Sequence, residues 1–160
     1  MAVVQYRVDG RMIHGQIRSA WGPYLHVDDF IVVNEKTANT PMQVTLLELA
    51  ASGDSVMACS PAKAAEVLKS GEFQGDRTMV VFKYIQDAVD VVKLGVKIDE
   101  IGISGIYDVP GANKKKYDKN LFLGDEEIAA MRYLDSQGVK MVMQIVPDYT
   151  AKNVKDLVKF

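Results

Sequence analysis

The sequence predicts an α/β protein, a three-layer α/β/α sandwich around a mostly parallel central sheet. Three observations carry that expectation. Short runs rich in Val, Ile and Phe alternate with helical patterns of about ten residues, which is the rhythm of βαβ units. Runs such as "FIVV" and "TMVVF" are apolar without interruption, as strands covered on both faces must be. The chain has 160 residues, enough to bury one core as a single domain over 1–160.

Each element has its own signal. Val3–Val8 reads as the first strand. Gly15–Leu25 reads as a helix, with Ile17, Ala20, Trp21, Tyr24 and Leu25 at helical spacing on an inward face. Phe30–Val33 is a short apolar strand. Pro41–Ala51 is helical, with Met42, Leu46, Leu49 and Ala50 expected inward. Ser55–Cys59 is a strand. Ser60 and Pro61 form a helix start, a capping hydroxyl before a proline at the first helical position, and that helix stops at Gly71. Thr78–Phe82 is a strand, Ile85–Leu94 a helix closed by Gly95, and Glu100–Ser104 a strand. An irregular stretch, 105–120, is rich in Gly, Pro, Asn and Lys. Leu121–Leu123 is a short strand. Asp125 caps a helix to about Gln137, Val139–Val146 is the last strand, and Thr150 starts a final helix.

Composition narrows the function classes. Apolar residues make up 48% and charged residues 25%, which is ordinary for a globular protein and unlike a disordered one. The net charge of −2 provides no basic field for nucleic acid or an anionic membrane. A single cysteine, Cys59, excludes an internal disulfide and suits a reducing compartment. The N-terminus lacks a basic leader and a cleavage site, and no apolar run approaches a membrane span. A cytoplasmic protein is the expectation.

The stretch "RVDGRMIHGQI", Arg7–Ile17, concentrates the chemistry. It follows the first strand, and ligands of parallel sheets sit beyond the carboxyl ends of strands. His14 lies at the entrance of the first helix beside Gly15. N–H groups there lack partners and carry partial positive charge, so they suit an anion. Gly10 is expected to turn the loop through unusual dihedrals. Arg11 supplies a planar charged fork suited to phosphate oxygens. An imidazole in that setting can attack phosphorus and carry the phosphoryl group. On spacing alone, a polar cap, a packing residue, a binding-site donor and a nucleophile all remain open for His14. Asp9 reads as a loop residue able to orient His14 or Arg11, and Gln16 as a first-turn residue. Arg7, ending a strand, needs either solvent or a carboxylate.

The same string, followed by Trp21, resembles the signature of the IIB components of the mannose/fructose/sorbose/N-acetylgalactosamine family of the bacterial phosphotransferase system (PTS). The match runs through Arg7, Asp9, Arg11, Ile13, His14, Gly15 and Gln16. It continues in "FIVVNE", "TLLELA", "RTMVVFK" and "GVKIDEIGISG", nearly the whole chain. Gly10 stands where an acidic residue is frequent and Met12 where leucine is frequent, and "IYDVPGANKKKYDKN" is the region that matches less. The resemblance implies a protein-Nπ-phosphohistidine–sugar phosphotransferase. A IIA protein would pass its phosphoryl group to His14, which would deliver it to a sugar held by the membrane components IIC and IID. His14 is then the phosphoryl acceptor and donor and Arg11 stabilises phosphate charge, with Asp9, Gly10, Met12, Ile13, Gly15, Gln16 and Arg7 as the supporting loop. The resemblance also allows a homodimer and implies a IIB domain held at the membrane only through its partners.

Other residues have readings of their own. Cys59 matters because other phosphotransferase IIB families use a phosphocysteine, but no arginine or glycine loop surrounds it, and a small buried hydrophobe is expected. His26 suits a helix end. Lys114–Lys116 is a solvated run or a dock for an acidic partner. Ser104 ends a strand near the loop and is a candidate phosphate donor, as are Asn34 and Lys83. No His, Cys, Asp and Glu cluster has metal spacing, so neither metal nor cofactor is expected. Two other readings compete. A regulatory module would keep the same fold and phosphorylation site. A nucleotide- or sugar-phosphate-binding domain would carry a P-loop or dinucleotide fingerprint, and neither motif is present.

Overall fold

The structure, a computed structural model, describes residues 2–160. Seven strands form the main sheet: β1 (Ala2–Val8), β2 (Asp29–Val33), β3 (Ser55–Cys59), β4 (Arg77–Phe82), β5 (Glu100–Ile103), β8 (Lys140–Met143) and β9 (Lys152–Asn153). Their order is β3-β2-β4-β1-β5-β8-β9, parallel except for β9 against β8. Two further strands, β6 (Lys115–Asp118) and β7 (Leu121–Leu123), make a separate hairpin. The expected three-layer α/β/α architecture is what the chain adopts.

Alternation within the central strands assigns the layers. Phe30, Val32, Met79 and Val81 pack with Ile17, Trp21, Leu47 and Ala51 on one face. Ile31, Val33, Val80 and Phe82 pack on the other with helices α4 (Pro61–Ser70), α5 (Ile85–Lys93) and α6 (Asp125–Ser136). The connections that leave β1 and β4 therefore run on opposite faces. A crevice opens between neighbouring strands at such a switch, at their carboxyl ends.

Several expectations are corrected. The first helix contains a π-helical turn, Ile17–Trp21, before the short α1 (Gly22–Leu25). Pro23 lacks an N–H and its ring would crowd a regular turn, and the Gly22 N–H instead reaches back to the Ile17 carbonyl. The extra residue in the turn rotates the face: Trp21 stays buried and Tyr24 points outward. In α3 (Pro41–Ala51) the buried residues are Leu47 and Ala51, whereas Met42, Leu46 and Leu49 are exposed. Apolar residues lie nearly all round this helix, so its sequence does not choose which side meets the sheet. A short unanticipated helix, α2 (Glu35–Ala38), precedes it, capped by the Asn34 side chain accepting from Thr37 N–H at 3.0 Å.

At the C-terminal end, β8 stops at Met143 rather than Val146. The carbonyls of Gln144 and Ile145 serve side chains instead of a ladder. No helix starts at Thr150: the chain returns as β9 and one 3₁₀ turn, Val154–Asp156. The irregular stretch 105–120 also yields β6.

Candidate active site

The loop from Asp9 to Gln16 leaves the carboxyl end of β1 between β4 and β5. Asp9 N–H continues the sheet by donating to the Phe82 carbonyl at 3.0 Å. The Asp9 carboxylate is buried and organises the loop from within. Its Oδ1 accepts Arg11 N–H at 2.9 Å, and its Oδ2 lies 2.7 Å from His14 Nε2. A carboxylate only accepts, so this contact assigns the proton to Nε2 and leaves Nδ1 with its lone pair. Nδ1 faces the first turn of the helix, where Gln16 N–H donates to it at 3.3 Å. His14 itself keeps 13% side-chain exposure against 3% for Asp9, so the carboxylate is sealed while the ring remains reachable.

The tight turn comes from a different residue than expected. Met12, not Gly10, takes the left-handed conformation, with φ of 61°. Met12 N–H closes the turn onto the Asp9 carbonyl at 3.0 Å, and its sulfur accepts weakly from Thr37 Oγ1 at 3.8 Å. Gly10 serves close approach instead. Its N–H donates to the Gly105 carbonyl at 2.8 Å, and a Cβ there would come 2.9 Å from that oxygen. Gly105, at φ of 63°, leaves room for the Asp9 carboxylate, which any side chain at 105 would strike.

Arg11 is exposed, and its Nη2 donates to Gln16 Oε1 at 3.3 Å. Gln16 is therefore more than a first-turn residue: its backbone faces His14 Nδ1 while its side chain holds the arginine. Ile13 is buried under the loop, and Gly15 opens the helix. Ser104 is buried at the end of β5, its N–H on the Val8 carbonyl at 3.2 Å, and it forms no hydrogen bond with a loop side chain.

Arg7 finds neither solvent nor a carboxylate partner. It is 2% exposed. Its guanidinium lies 4.6 Å from the Trp21 ring centroid and donates to the carbonyls of Gln144 at 2.6 Å and Ile145 at 3.3 Å. Trp21 Nε1 donates to the same Ile145 carbonyl at 2.8 Å. Gly102, paired with Arg7 across β1 and β5, leaves the channel for this side chain. Burial pulls the guanidinium down to about 10, partly offset by the charge of Asp9.

The remaining candidates separate by position. Asn34 joins a buried network in which its Nδ2 donates to Asp87 Oδ2 at 3.1 Å. Burial pushes the Asp87 carboxyl up, against the pull of Asn34 and the Tyr84 N–H. Cys59 is buried on β3, and burial raises its thiol to about 11. His26 takes a left-handed helix-end conformation. Lys114 leaves the solvated run to pair with Glu127 at 3.3 Å. Exposed Tyr84, Val109 and Tyr149 follow strand ends on the same side of the sheet as the loop. A cleft of about 560 Å³ beside Gly10 and Gly105 is lined by Tyr84, Ile106, Tyr107 and Lys83, among others.

This architecture is shared with solved proteins. The crystal structure of the IIB domain of the sorbose permease from Klebsiella pneumoniae superposes with a TM-score of 0.88 at 31% identity, covering 98% of this chain and 95% of that one. The fold is thus that of the IIB domains of sugar phosphotransferase systems. Within that class, the family model described as PTS system sorbose subfamily IIB component matches residues 3–160, and the chain belongs to that family. The sorbose-specific EIIB component of Klebsiella pneumoniae is 31% identical over 157 residues, 98% of this chain and 94% of that protein. The fructose-specific EIIB component of Bacillus subtilis is 28% identical over 160 residues, 99% and 97% respectively. Such components are phosphotransferases that act in sugar phosphotransfer, so the resemblance read from the loop motif is borne out at the level of family and general role.

Proposed function

We propose that this chain, acting as one IIB domain, is a phosphocarrier whose phosphorylated atom is His14 Nδ1. The observation that carries this reading is the Asp9–His14 contact of 2.7 Å, which sets the tautomer and aims the free nitrogen at the helix start. A IIA phosphohistidine docks over the loop. Its P–N bond breaks as the Nδ1–P bond forms, and the departing imidazole keeps the electron pair. The His14 ring becomes cationic because Nε2 retains its proton, and the Asp9 carboxylate offsets that charge. The cationic ring is also a good leaving group: its N–P bond breaks as an O–P bond forms on a sugar hydroxyl presented by IIC and IID. The electron pair returns to Nδ1, and the hydroxyl proton passes to a phosphoryl oxygen. Arg11, held by Gln16, stabilises the phosphoryl oxygens during both transfers. Gly10, Met12, Ile13 and Gly15 shape the loop, and Arg7 and Ser104 support it from beneath. The activity is that of a protein-Nπ-phosphohistidine–sugar phosphotransferase, working on the cytoplasmic side of the membrane through its partners. Exposed Tyr84, Val109 and Tyr149 give those partners an apolar rim.

The test is phosphorylation by phosphoenolpyruvate, the general phosphotransferase proteins and a IIA protein, followed by acid lability of the product. His14→Ala should abolish the label and Cys59→Ser should retain it. Label persisting in the first variant, or lost in the second, sinks the assignment.

A further inference from the structure

We infer that Tyr107 is a positioning residue for phosphoryl transfer: its ring is the platform that holds the Arg11 guanidinium across the mouth of the loop. The inference rests on the roles of His14 and Arg11 proposed above. It gives a task to the stretch 105–120, which lies outside the loop motif.

The geometry has two supports for one cation. Arg11 Cζ lies 5.3 Å from the Tyr107 ring centroid, while Arg11 Nη2 donates to Gln16 Oε1. Gln16 N–H in turn faces His14 Nδ1. The guanidinium is therefore spanned between the aromatic face and the residue that touches the nucleophile. An exposed arginine otherwise samples many rotamers, and ordering it during the reaction costs free energy. Two weak contacts made beforehand remove part of that cost.

Tyr107 is itself held from behind. Its ring lies over Gly10, with Cδ2 within 3.5 Å of where a Cβ would stand. Its carbonyl accepts from Lys114 Nζ at 3.3 Å, and Lys114 is paired with the buried Glu127 on α6. Next to it, Ile106 N–H donates to the Asn120 carbonyl, and the Ile106 carbonyl accepts from Phe122 N–H at 2.8 Å. The β6–β7 hairpin and α6 thus fix the platform. The Tyr107 hydroxyl is buried and makes no hydrogen bond among the described residues. Burial and the Asp9 charge push the phenol up, yet Arg11 lies close enough to pull it down against them. Removing the hydroxyl alone therefore separates the ring from the phenol.

The experiment uses the full chain and phosphoramidate as a small phosphodonor. Its P–N bond breaks, ammonia leaves, and a P–N bond forms on the histidine. The rate is read by intact mass and ³¹P NMR, with thermal melts to confirm folding; Tyr107→Met replaces Tyr107→Leu should the latter not fold. Tyr107→Leu should slow phosphorylation about fivefold, as loss of one cation–π contact implies, and Tyr107→Phe should stay within about twofold of the parent. In an Arg11→Ala background, Tyr107→Leu should change nothing further. A Tyr107→Leu rate equal to the parent, a Phe variant as slow as Leu, or an equal loss without Arg11 would each overturn the platform. Failure of the parent to take phosphate on His14 would instead remove the phosphocarrier reading beneath it.

Discussion

Two buried charged side chains at opposite ends of the Arg7–Asp9 tripeptide have different tasks. Asp9 sets a tautomer. Asp9→Asn keeps the volume but lets an amide N–H face Nε2, which moves the ring proton to Nδ1 and removes the nucleophilic lone pair. Transfer should fall by about 100-fold or more while the melting temperature moves little; an unchanged rate in a IIA-to-IIB transfer assay would remove Asp9 from the mechanism. Arg7 closes the carboxyl end of the sheet. Arg7→Ala would leave the Gln144 and Ile145 carbonyls without their guanidinium donor and strip one face of Trp21. The expected cost is about 3 kcal/mol or more in urea unfolding. Both residues belong to one motif, and the letters do not say which is chemical and which is architectural. Both are 2% exposed, and their partners separate them: the Arg7 guanidinium is enclosed by Trp21 and the carbonyls beyond β8, and the Asp9 carboxylate touches His14.

Among the elements, α3 shows how pattern and packing part company. Its residues offer two apolar faces, and the sheet takes the one with Leu47 and Ala51, where a small residue permits close approach to the Phe30 and Val32 surface. Leu47, at 4% exposure, should cost about 2–5 kcal/mol as Leu47→Ala, whereas Leu46→Ala, from 58% exposure, should stay within about 0.5 kcal/mol. Thermal or denaturant unfolding of the two variants decides it, and equal losses would contradict the orientation of the helix. The first helix teaches a related lesson. Its apolar spacing identifies a helix, but one π turn before Pro23 changes which residues look inward. Strand β8 is shortened by a contact 137 residues away in sequence, from Arg7, which no local window contains.

At the level of the whole molecule, strand order separates the two candidate nucleophiles, His14 and Cys59. β3, which ends in Cys59, is one of the two edge strands, separated from β1 by β2 and β4. The thiol is buried there with its ionisation raised to about 11 from an ordinary value of 9.0. A thiol whose folded value lies above its unfolded value contributes stability that is present below pH 9 and is lost as the pH rises through about 11. The parent should therefore lose more stability than Cys59→Ala between those two pH values, measured as paired denaturant curves. At neutral pH the native thiol should resist alkylation and become reactive on unfolding. Rapid native alkylation would contradict the burial.

The sequence by itself determined the three-layer α/β/α class, most strand positions and the loop that carries His14, Asp9 and Arg11. Those follow from short-range signals: unbroken apolar runs, capping residues and one compact motif. Only the tertiary structure decided that Met12 rather than Gly10 takes the left-handed turn, that Gln16 braces Arg11, and that Tyr107 comes to lie beside it. Those outcomes depend on contacts between segments distant in the chain. Gly10 is held by the Gly105 carbonyl, and Tyr107 is held by Lys114, which Glu127 of α6 anchors. Such contacts exist only after the carboxyl ends of β1, β4 and β5 have been brought side by side.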